Sequence, residues 1–485
     1  MSKVTTIIDI GSNSMRMVVL QKSSRFAFSL INETKSRVKI SEGCYENNGN
    51  LQEIPMLRAY ESLKSFLNIS NALKSRKIIC VATSALRDAP NSSIFISKIK
   101  KDLGLNIKVI EGEKEAYYGG VAALNLLHDD TFVTVDIGGG STEFCFVKNG
   151  KIEKSISLNI GTVRIKELYF NKGAKEHILD NLKKIFELDI EIPKKVVGIG
   201  GSIRALSKIV MGRNNYILDI LHGFSYRVEE EISSFERIFE AKNSEELKSL
   251  GVKKDRFDTI KEGAFIFKTI LDELNIKEVV TSGVGVREGV YLTDLLRNSN
   301  HKFPENFNIS VRSLLDRFQI DEKQSAYFGN NAKKIFDVLK PLHNLDSKYR
   351  SLFVIASKLH SIGSTLNFYK SNDNAFDFIL NGLNYDFLHT SRVIVAHTIK
   401  FSKKSLPTRA DILKYEELLP SLNVMQWLSF MISLNIAVNQ DFSRPKVEYI
   451  LNDEILEINL PNKSFLIESN IDKLESPEDL IIKIK

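Results

Sequence analysis

Apolar residues follow two patterns along this chain, and the change between them comes near residue 302. Before it, short β-branched runs alternate with glycine- and serine-rich loops and with helical stretches, which predicts strands and helices in turn. The run ending in Asp9-Ile10-Gly11 meets a small-residue tip, Ser12-Asn13-Ser14, and then a second apolar run, Met15 to Leu20. The same order returns at Asp136-Ile137-Gly138, with the tip Gly138-Gly139-Gly140-Ser141 and the run Phe144 to Val147. Each second run ends at a turn signal, Lys22-Ser23-Ser24-Arg25 in one and Lys148-Asn149-Gly150-Lys151 in the other. Asn-Gly between apolar stretches marks a tight hairpin. Each copy therefore predicts strand, loop, strand, turn, strand, and the chain contains two similar lobes.

Between the copies, Lys77 to Ala82 predicts a buried strand leading into Thr83-Ser84-Ala85-Leu86-Arg87. Asn106 to Ile110 predicts another, and Gly112-Glu113-Lys114-Glu115-Ala116 opens a helix through Leu127. After the second copy, Val196 to Ser202 predicts a strand entering the loop Gly200-Gly201-Ser202, with a helix from about Ile203, and Val279 to Gly289 repeats the pattern with Arg287 opening a helix. Beyond residue 302 glycine falls away and the helical period takes over, as in Glu322 to Leu339 and Ser347 to Leu366. Lys446 to Glu468 alternates as short strands about the turn Leu451-Asn452-Asp453-Glu454. Alternating strands and helices imply a mixed or parallel sheet with ligands at the carboxyl ends of its strands.

These loops carry chemistry. Gly and Ser at a strand-to-strand tip let the backbone approach a ligand closely and aim amides and hydroxyls at it, which makes an anion-binding nest. A lone loop of this kind reads as a tight turn, whereas two copies with matched Asp, Gly and Ser positions point to a shared ligand. The Asp before each tip would repel a phosphate, so its presence implies a divalent cation between the two. Seven positions after Asp136 stands Glu143, and seven after Asp9 stands Arg16, which predicts a carboxylate from one lobe and a guanidinium from the other at one cleft. Glu115 falls in the first turn of its helix, where the dipole favours an ionised carboxylate suited to a base or water-positioner.

Composition narrows the class. The chain of 485 residues is 43% apolar and 26% charged, with 10 prolines and 26 glycines, which excludes collagenous and largely disordered proteins. No apolar run approaches the ~18 residues of a membrane helix; the longest, Met425 to Val438, is interrupted by Gln426, Ser429, Ser433 and Asn435. The opening MSKVTTIIDIGSNS has no leader pattern, and Cys44, Cys80 and Cys145 read as reduced core thiols of a cytoplasmic protein. The net charge of +7 suits an anionic ligand without identifying one.

In order, DIGSNS, ATSALR, EGEKEA, DIGGGSTE, GIGGS and SGVGVREG resemble the exopolyphosphatase/guanosine pentaphosphate phosphohydrolase family over residues 4–297. The resemblance implies an α/β fold of two actin-like (ribonuclease H-like) lobes, 1–128 and 129–301, then a mainly helical HD-like domain, 302–437, and a small α+β cap, 438–485. It implies release of terminal orthophosphate from inorganic polyphosphate, from pppGpp to give ppGpp, or from both. It aligns Glu115 with the water-activating glutamate, and Asp136 and Glu143, with Asp9 nearby, with positions holding Mg²⁺ or Mn²⁺. It aligns Ser12, Asn13, Ser14, Gly138, Gly139, Gly140 and Ser141 with phosphate cradles; Gly200, Gly201 and Ser202 form a further glycine loop. Arg16, Arg87 and Arg287 match basic positions facing the cleft. Where many relatives carry two adjacent glutamates this chain has Lys114-Glu115, and where an HD-type domain has its His-Asp pair it has His360-Ser361, so His360, His389 and His397 are expected to be structural. A homodimer is expected, without membrane or nucleic-acid partners. A kinase or ATPase of the same fold and a ppGpp sensor without turnover stay open as alternatives.

Overall fold

A computed structural model describes residues 3–169, 173–478 and 480–485; Met1 and Ser2, the start of the segment expected to lack a leader, lie outside the described residues. The chain divides into two compact units, Met1–Phe307 and Asn308–Lys485.

The first unit is built on two mixed sheets. Lys3–Ile10 (β1), Met15–Lys22 (β2), Phe28–Ser36 (β3), Lys77–Ala82 (β4) and Ile107–Val109 (β5) form one, in the order β3-β2-β1-β4-β5. Phe132–Ile137 (β6), Thr142–Lys148 (β7), Lys151–Leu158 (β8), Lys195–Ile199 (β9), Ser225–Arg227 (β10) and Glu278–Thr281 (β11) form the other, in the order β8-β7-β6-β9-β11-β10. In each, two antiparallel strands precede parallel pairing, β1 with β4 and β4 with β5, β6 with β9 and β9 with β11. The repeated hairpin is thus the visible part of a repeated sheet. The central strand β1 is buried on both faces, Thr6, Ile7, Ile8 and Ile10 alike, which is why it reads as a nearly continuous apolar run. At the predicted tight turn Asn149 and Gly150 both take positive φ, 47° and 68°, the mirror-image turn that matches strand twist.

The helix expected from about Ile203 begins at Gly200, so Gly200-Gly201-Ser202 are its first turn and no loop precedes it. Gly200 has φ 83°, which swings the chain straight from β9 into the helix. A Cβ at Gly198 would overlap the Ile203 side chain, so the strand end and the helix pack without a spacer.

Two helices tie the sheets together by changing sides. Gly112–Leu126, which follows the first sheet in sequence, packs on the second: Ala123 and Leu127 share a core with Phe132, Cys145, Val147, Val197 and Val280, and a Cβ at Gly120 would overlap the Cys145 sulfur. Val286–Leu295, which follows the second sheet, packs on β1, and its Tyr291 ring meets Phe28 edge-on at 4.8 Å. The two helices touch each other where Gly289 lies against the Tyr118 carbonyl, so closely that a Cβ would overlap it.

The second unit packs helices around one core that also takes in Leu456 and Ile458 of a small sheet formed by Glu448–Asn452 (β12), Ile455–Asn459 (β13) and Ile481–Ile484 (β14). The apolar run from Met425 is a buried core helix, Leu422–Ala437, whose polar Asn435 is partnered: it accepts from Asn331 Nδ2 at 2.9 Å and donates to the Phe328 carbonyl at 3.0 Å. Among the described residues no helix is long and apolar enough to cross a membrane. The helix expected over Ser347 to Leu366 ends at Leu359, and His360–Thr365 continues as a tighter 3₁₀ segment, because Gly363 approaches the Ser371 backbone too closely for a side chain. His360 and His397 donate from Nδ1 to the carbonyls of Ser357 and Val393, at 2.8 and 2.9 Å. All three cysteines are buried and unpaired by disulfides.

Candidate active site

Strand register places the site. Across the first hairpin Asp9 pairs with Arg16, and Arg16 in turn with Lys35 on β3. Across the second, Asp136 pairs with Glu143, and Glu143 with Ser157 on β8. Directly opposed residues share a face, so each sheet presents a row of side chains at equivalent positions. One row reads carboxylate, guanidinium, ammonium; the other reads carboxylate, carboxylate, hydroxyl.

The first row and, from the second, Asp136 line a cleft of about 150 Å³. Its walls come from Asp9, Ser12, Asn13, Ser14 and Arg16 of the first sheet's hairpin, with Arg287 from the helix packed on β1, and from Asp136, Gly138, Gly139, Ser141 and the Gly200-Gly201-Ser202 turn, with Glu115 from the helix packed on the second sheet. The two small-residue tips face each other: a Cβ on Gly139 would come within 2.8 Å of the Ser12 Cβ. Ser12 and Ser84 hydroxyls are 3.1 Å apart beside them. Gly138 N–H closes its own tip on the Ser141 carbonyl at 2.9 Å, and Thr162 N–H donates to the Gly138 carbonyl at 3.0 Å, so the loop is held from behind. Gly200 stands against Asp136, where a Cβ would overlap the carboxylate. Three of the residues singled out in the sequence stand off the cleft wall. Gly140 faces Ser84 and Tyr45, Glu143 lies behind Asp136 and is 3% exposed, and Arg87 lies behind Glu115.

Burying several carboxylates together raises all of them. Asp9 is pushed up to about 6, by burial first, against the opposing pull of Arg287 and Arg16. Burial takes Glu143 to about 8, although Ser141 and Ser157 hydrogen-bond its ionised form, the latter at 2.9 Å. Glu115 is raised by burial and then by the nearby charges of Glu143 and Asp9, while Arg87 pulls the other way. Arg87 Nη1 reaches Glu115 Oε2 at 3.3 Å and the Ile110 carbonyl at 3.1 Å, which fixes both side chains. Asp136 is likewise raised by burial, with Arg204, Arg16 and Arg287 opposing.

The donor set is all oxygen, which suits a hard divalent cation, and Asp9 Oδ1 is buried with no hydrogen-bond partner. Among the described residues no three His, Cys, Asp or Glu side chains form a ready-made ion cage. A cation here would therefore be held by one or two carboxylates together with water and ligand oxygens, which is the usual manner of Mg²⁺.

Sequence reasoning missed part of the cationic wall. Lys35 lies directly across from Arg16, and burial beside Arg256 and Arg16 lowers it to about 8. Arg204 reaches the cleft from the helix opened by Gly200, its guanidinium tied to the carbonyls of Ser282 at 2.6 Å and Val284 at 2.9 Å. Arg256 comes from an isolated 3₁₀ turn, Lys254–Arg256, and its guanidinium occupies the space beside Gly201. Extending the hairpin register one strand further would have found Lys35. No local pattern marks Arg256.

Known proteins resemble this chain in sequence and fold. The family model described as the Ppx/GppA phosphatase family matches residues 18–298. The guanosine-5'-triphosphate,3'-diphosphate pyrophosphatase of Photobacterium profundum is 26% identical over 418 residues, which are 84% of this chain and 81% of that protein. The crystal structure of the Aquifex aeolicus member of the Ppx/GppA family is 28% identical with a TM-score of 0.53, covering 62% of this chain and 99% of its own. An exopolyphosphatase structure from Cytophaga hutchinsonii ATCC 33406, 22% identical with a TM-score of 0.53 over 60% of this chain and 98% of its own, shares the fold.

Proposed function

Because this chain belongs to the Ppx/GppA phosphatase family and so hydrolyses phosphoanhydrides, we propose that its cleft takes the end of a phosphate chain and releases the terminal orthophosphate. The substrate is inorganic polyphosphate, pppGpp yielding ppGpp, or both. The observation that carries this reading is the opposite polarity of the two rows on facing hairpins. Arg16 and Lys35 offer charge to the anionic body of the substrate, whereas Asp136, with Glu115 close by, offers carboxylate acceptors, and Glu143 stands buried behind Asp136, held by the Ser157 hydroxyl.

Phosphoryl transfer asks a protein chiefly for placement and charge neutralisation along an in-line axis. On this reading Glu115, possessing the cleft-side carboxylate, orients the attacking water and takes its proton, and Arg87 favours the ionised form that this requires. Glu143 supports it from behind, its charge coupled to that of Glu115. The two tips, Ser12-Asn13-Ser14 and Gly138 to Ser141, fix the oxygens of the transferred group, and Arg16 and Arg287 hold the bridging and leaving phosphate. A divalent cation, Mg²⁺ or Mn²⁺, held by Asp136 and Asp9 with Glu143 behind them, would supply neutralising charge to the phosphoryl oxygens. The direct test is a comparison of phosphate release from long polyphosphate, tripolyphosphate and pppGpp with Mg²⁺ present. Release from none of the three refutes the reading, and the ratio of rates assigns the preferred substrate.

The carboxylates also give the reading a pH signature. An acid raised by folding holds its proton more tightly in the folded than in the unfolded chain, so its contribution to stability declines as pH climbs from the unfolded value to the folded one. For Glu143 that window runs from 4.5 to about 8, and for Asp9 from 3.8 to about 6. A cation needs these groups ionised and releases their protons on binding. Excess Mg²⁺ is therefore expected to raise the melting temperature more at pH 8.5 than at pH 6, as read by differential scanning fluorimetry; an equal or smaller rise at pH 8.5 contradicts the assignment.

A further inference from the structure

One carboxylate on the cationic side of the cleft has no part in the chemistry above. Glu33 stands on β3 two positions from Lys35, and its side chain is 45% exposed. Its Oε1 accepts from Arg287 Nη1 at 2.8 Å and lies 3.8 Å from Arg16 Nη1. Arg287 is 4% exposed, and both arginines line the cleft. Two guanidinium groups this close repel each other, and a buried one is costly to leave without an anion. Asp9 also faces both arginines but its carboxylate is buried and cannot swing into water, and two other charges nearby are already committed. Arg204 is held by two backbone carbonyls, and Glu288 caps its own helix by accepting from Gly285 N–H at 2.8 Å. Glu33 is thus the exchangeable anion of the Arg16–Arg287 pair.

We propose that Glu33 is an internal stand-in for substrate phosphate, holding Arg287 and Arg16 in the empty protein until a phosphate chain displaces it. The proposal rests on the cleft being a phosphate site. Displacement costs Glu33 little, because a half-exposed carboxylate can swing into water, while the buried Arg287 exchanges one anion for another. Arginine binds phosphate bidentately and strongly. A chain of linked phosphates reaches Lys35 and Arg256 as well as the two arginines and so displaces Glu33 readily. Free orthophosphate has fewer charges with which to do so. Glu33 is in this sense a specificity-determining residue that favours the incoming chain over the released product.

The test is steady-state kinetics on tripolyphosphate with Mg²⁺, together with inhibition by orthophosphate. In Glu33→Gln, the KM for tripolyphosphate and the inhibition constant for orthophosphate should both fall, the latter by roughly 5- to 30-fold, the factor that one to two kcal/mol represents, with kcat within about twofold of the wild type. Glu33→Asp keeps the charge but shortens the reach, and should fall between the two. Unchanged constants in Glu33→Gln, or a rise in KM, would show that the bridge only fastens β3 to the Arg287 helix, and the proposal falls while the hydrolase reading stands. If the wild type neither binds nor cleaves tripolyphosphate, the phosphate reading itself is lost and this proposal with it.

Discussion

Replacing Glu115 with glutamine is expected to lower kcat by about 10²- to 10⁴-fold, the range of a positioned general base, and to leave the KM for tripolyphosphate within a few-fold. Glutamine keeps the shape and can still be oriented by Arg87, which reaches the carboxylate at 3.3 Å, but it cannot take a proton from water. Substrate affinity should survive because the guanidinium groups of Arg16 and Arg287 and the two hairpin tips are untouched. Glu143→Ala is expected to act more mildly and to shift the acid limb of the pH–rate profile downward, since it removes a charge that raises Glu115. Phosphate release measured from pH 5 to pH 9 checks both. Near wild-type turnover in both variants would move the water to another wall of the cleft.

A large structural effect is expected at Gly289. An alanine there would drive its Cβ into the Tyr118 carbonyl, which is backbone and cannot swing aside. Overpacking a tight contact costs typically about 1–3 kcal/mol, and one against fixed backbone belongs at the upper end. At about 2–4 °C per kcal/mol for a large domain, Gly289→Ala should melt several degrees to ~10 °C lower. Activity should fall further than stability alone explains, because Gly289 shares a helix with Arg287 and its neighbour Tyr118 shares one with Glu115. Gly212→Ala provides the contrast: that helical glycine has nothing within 4 Å of the added atom, and the change should be neutral or slightly stabilising. A Gly289→Ala protein with wild-type melting and rate would mean that the helix contact is looser than described.

Much of the site was legible because it is local. The two tips, the Asp before each, the Asn149-Gly150 turn and the pairing partners Arg16 and Glu143 are all set within single hairpins, and hairpin register follows from strand period and turn length. The β1 and β6 runs were readable for a different reason: central strands buried on both faces show as unbroken apolar segments. The start of the helix at Gly200 was obscured because paired glycines read as loop, whereas only Gly200 adopts the left-handed conformation. Lys35 escaped notice because it lies one strand beyond its hairpin, and Arg256 and Glu33 because each joins the cleft through a partner far away in sequence, Glu33 through Arg287 and Arg256 through Gly201. The exchange of helices between sheets was invisible for the same reason. The reason for glycine at 120 and 289 appears only when the Cys145 side chain and the Tyr118 backbone opposite them are seen.

That exchange constrains how the protein can move. Each sheet carries the other's helix on its back, so the halves cannot part like the covers of a book without tearing apolar surface from both. Scissoring about a rivet at Gly289 and Tyr118 would spare both packings. Near a rivet displacements are small, and they grow with distance along the blades. Glu115 and Arg287, each less than one helical turn from the rivet, would keep their spacing through such a swing, while the outer contacts Arg37–Asp255 and Lys39–Asp258, at 3.2 and 3.0 Å, would open and shut.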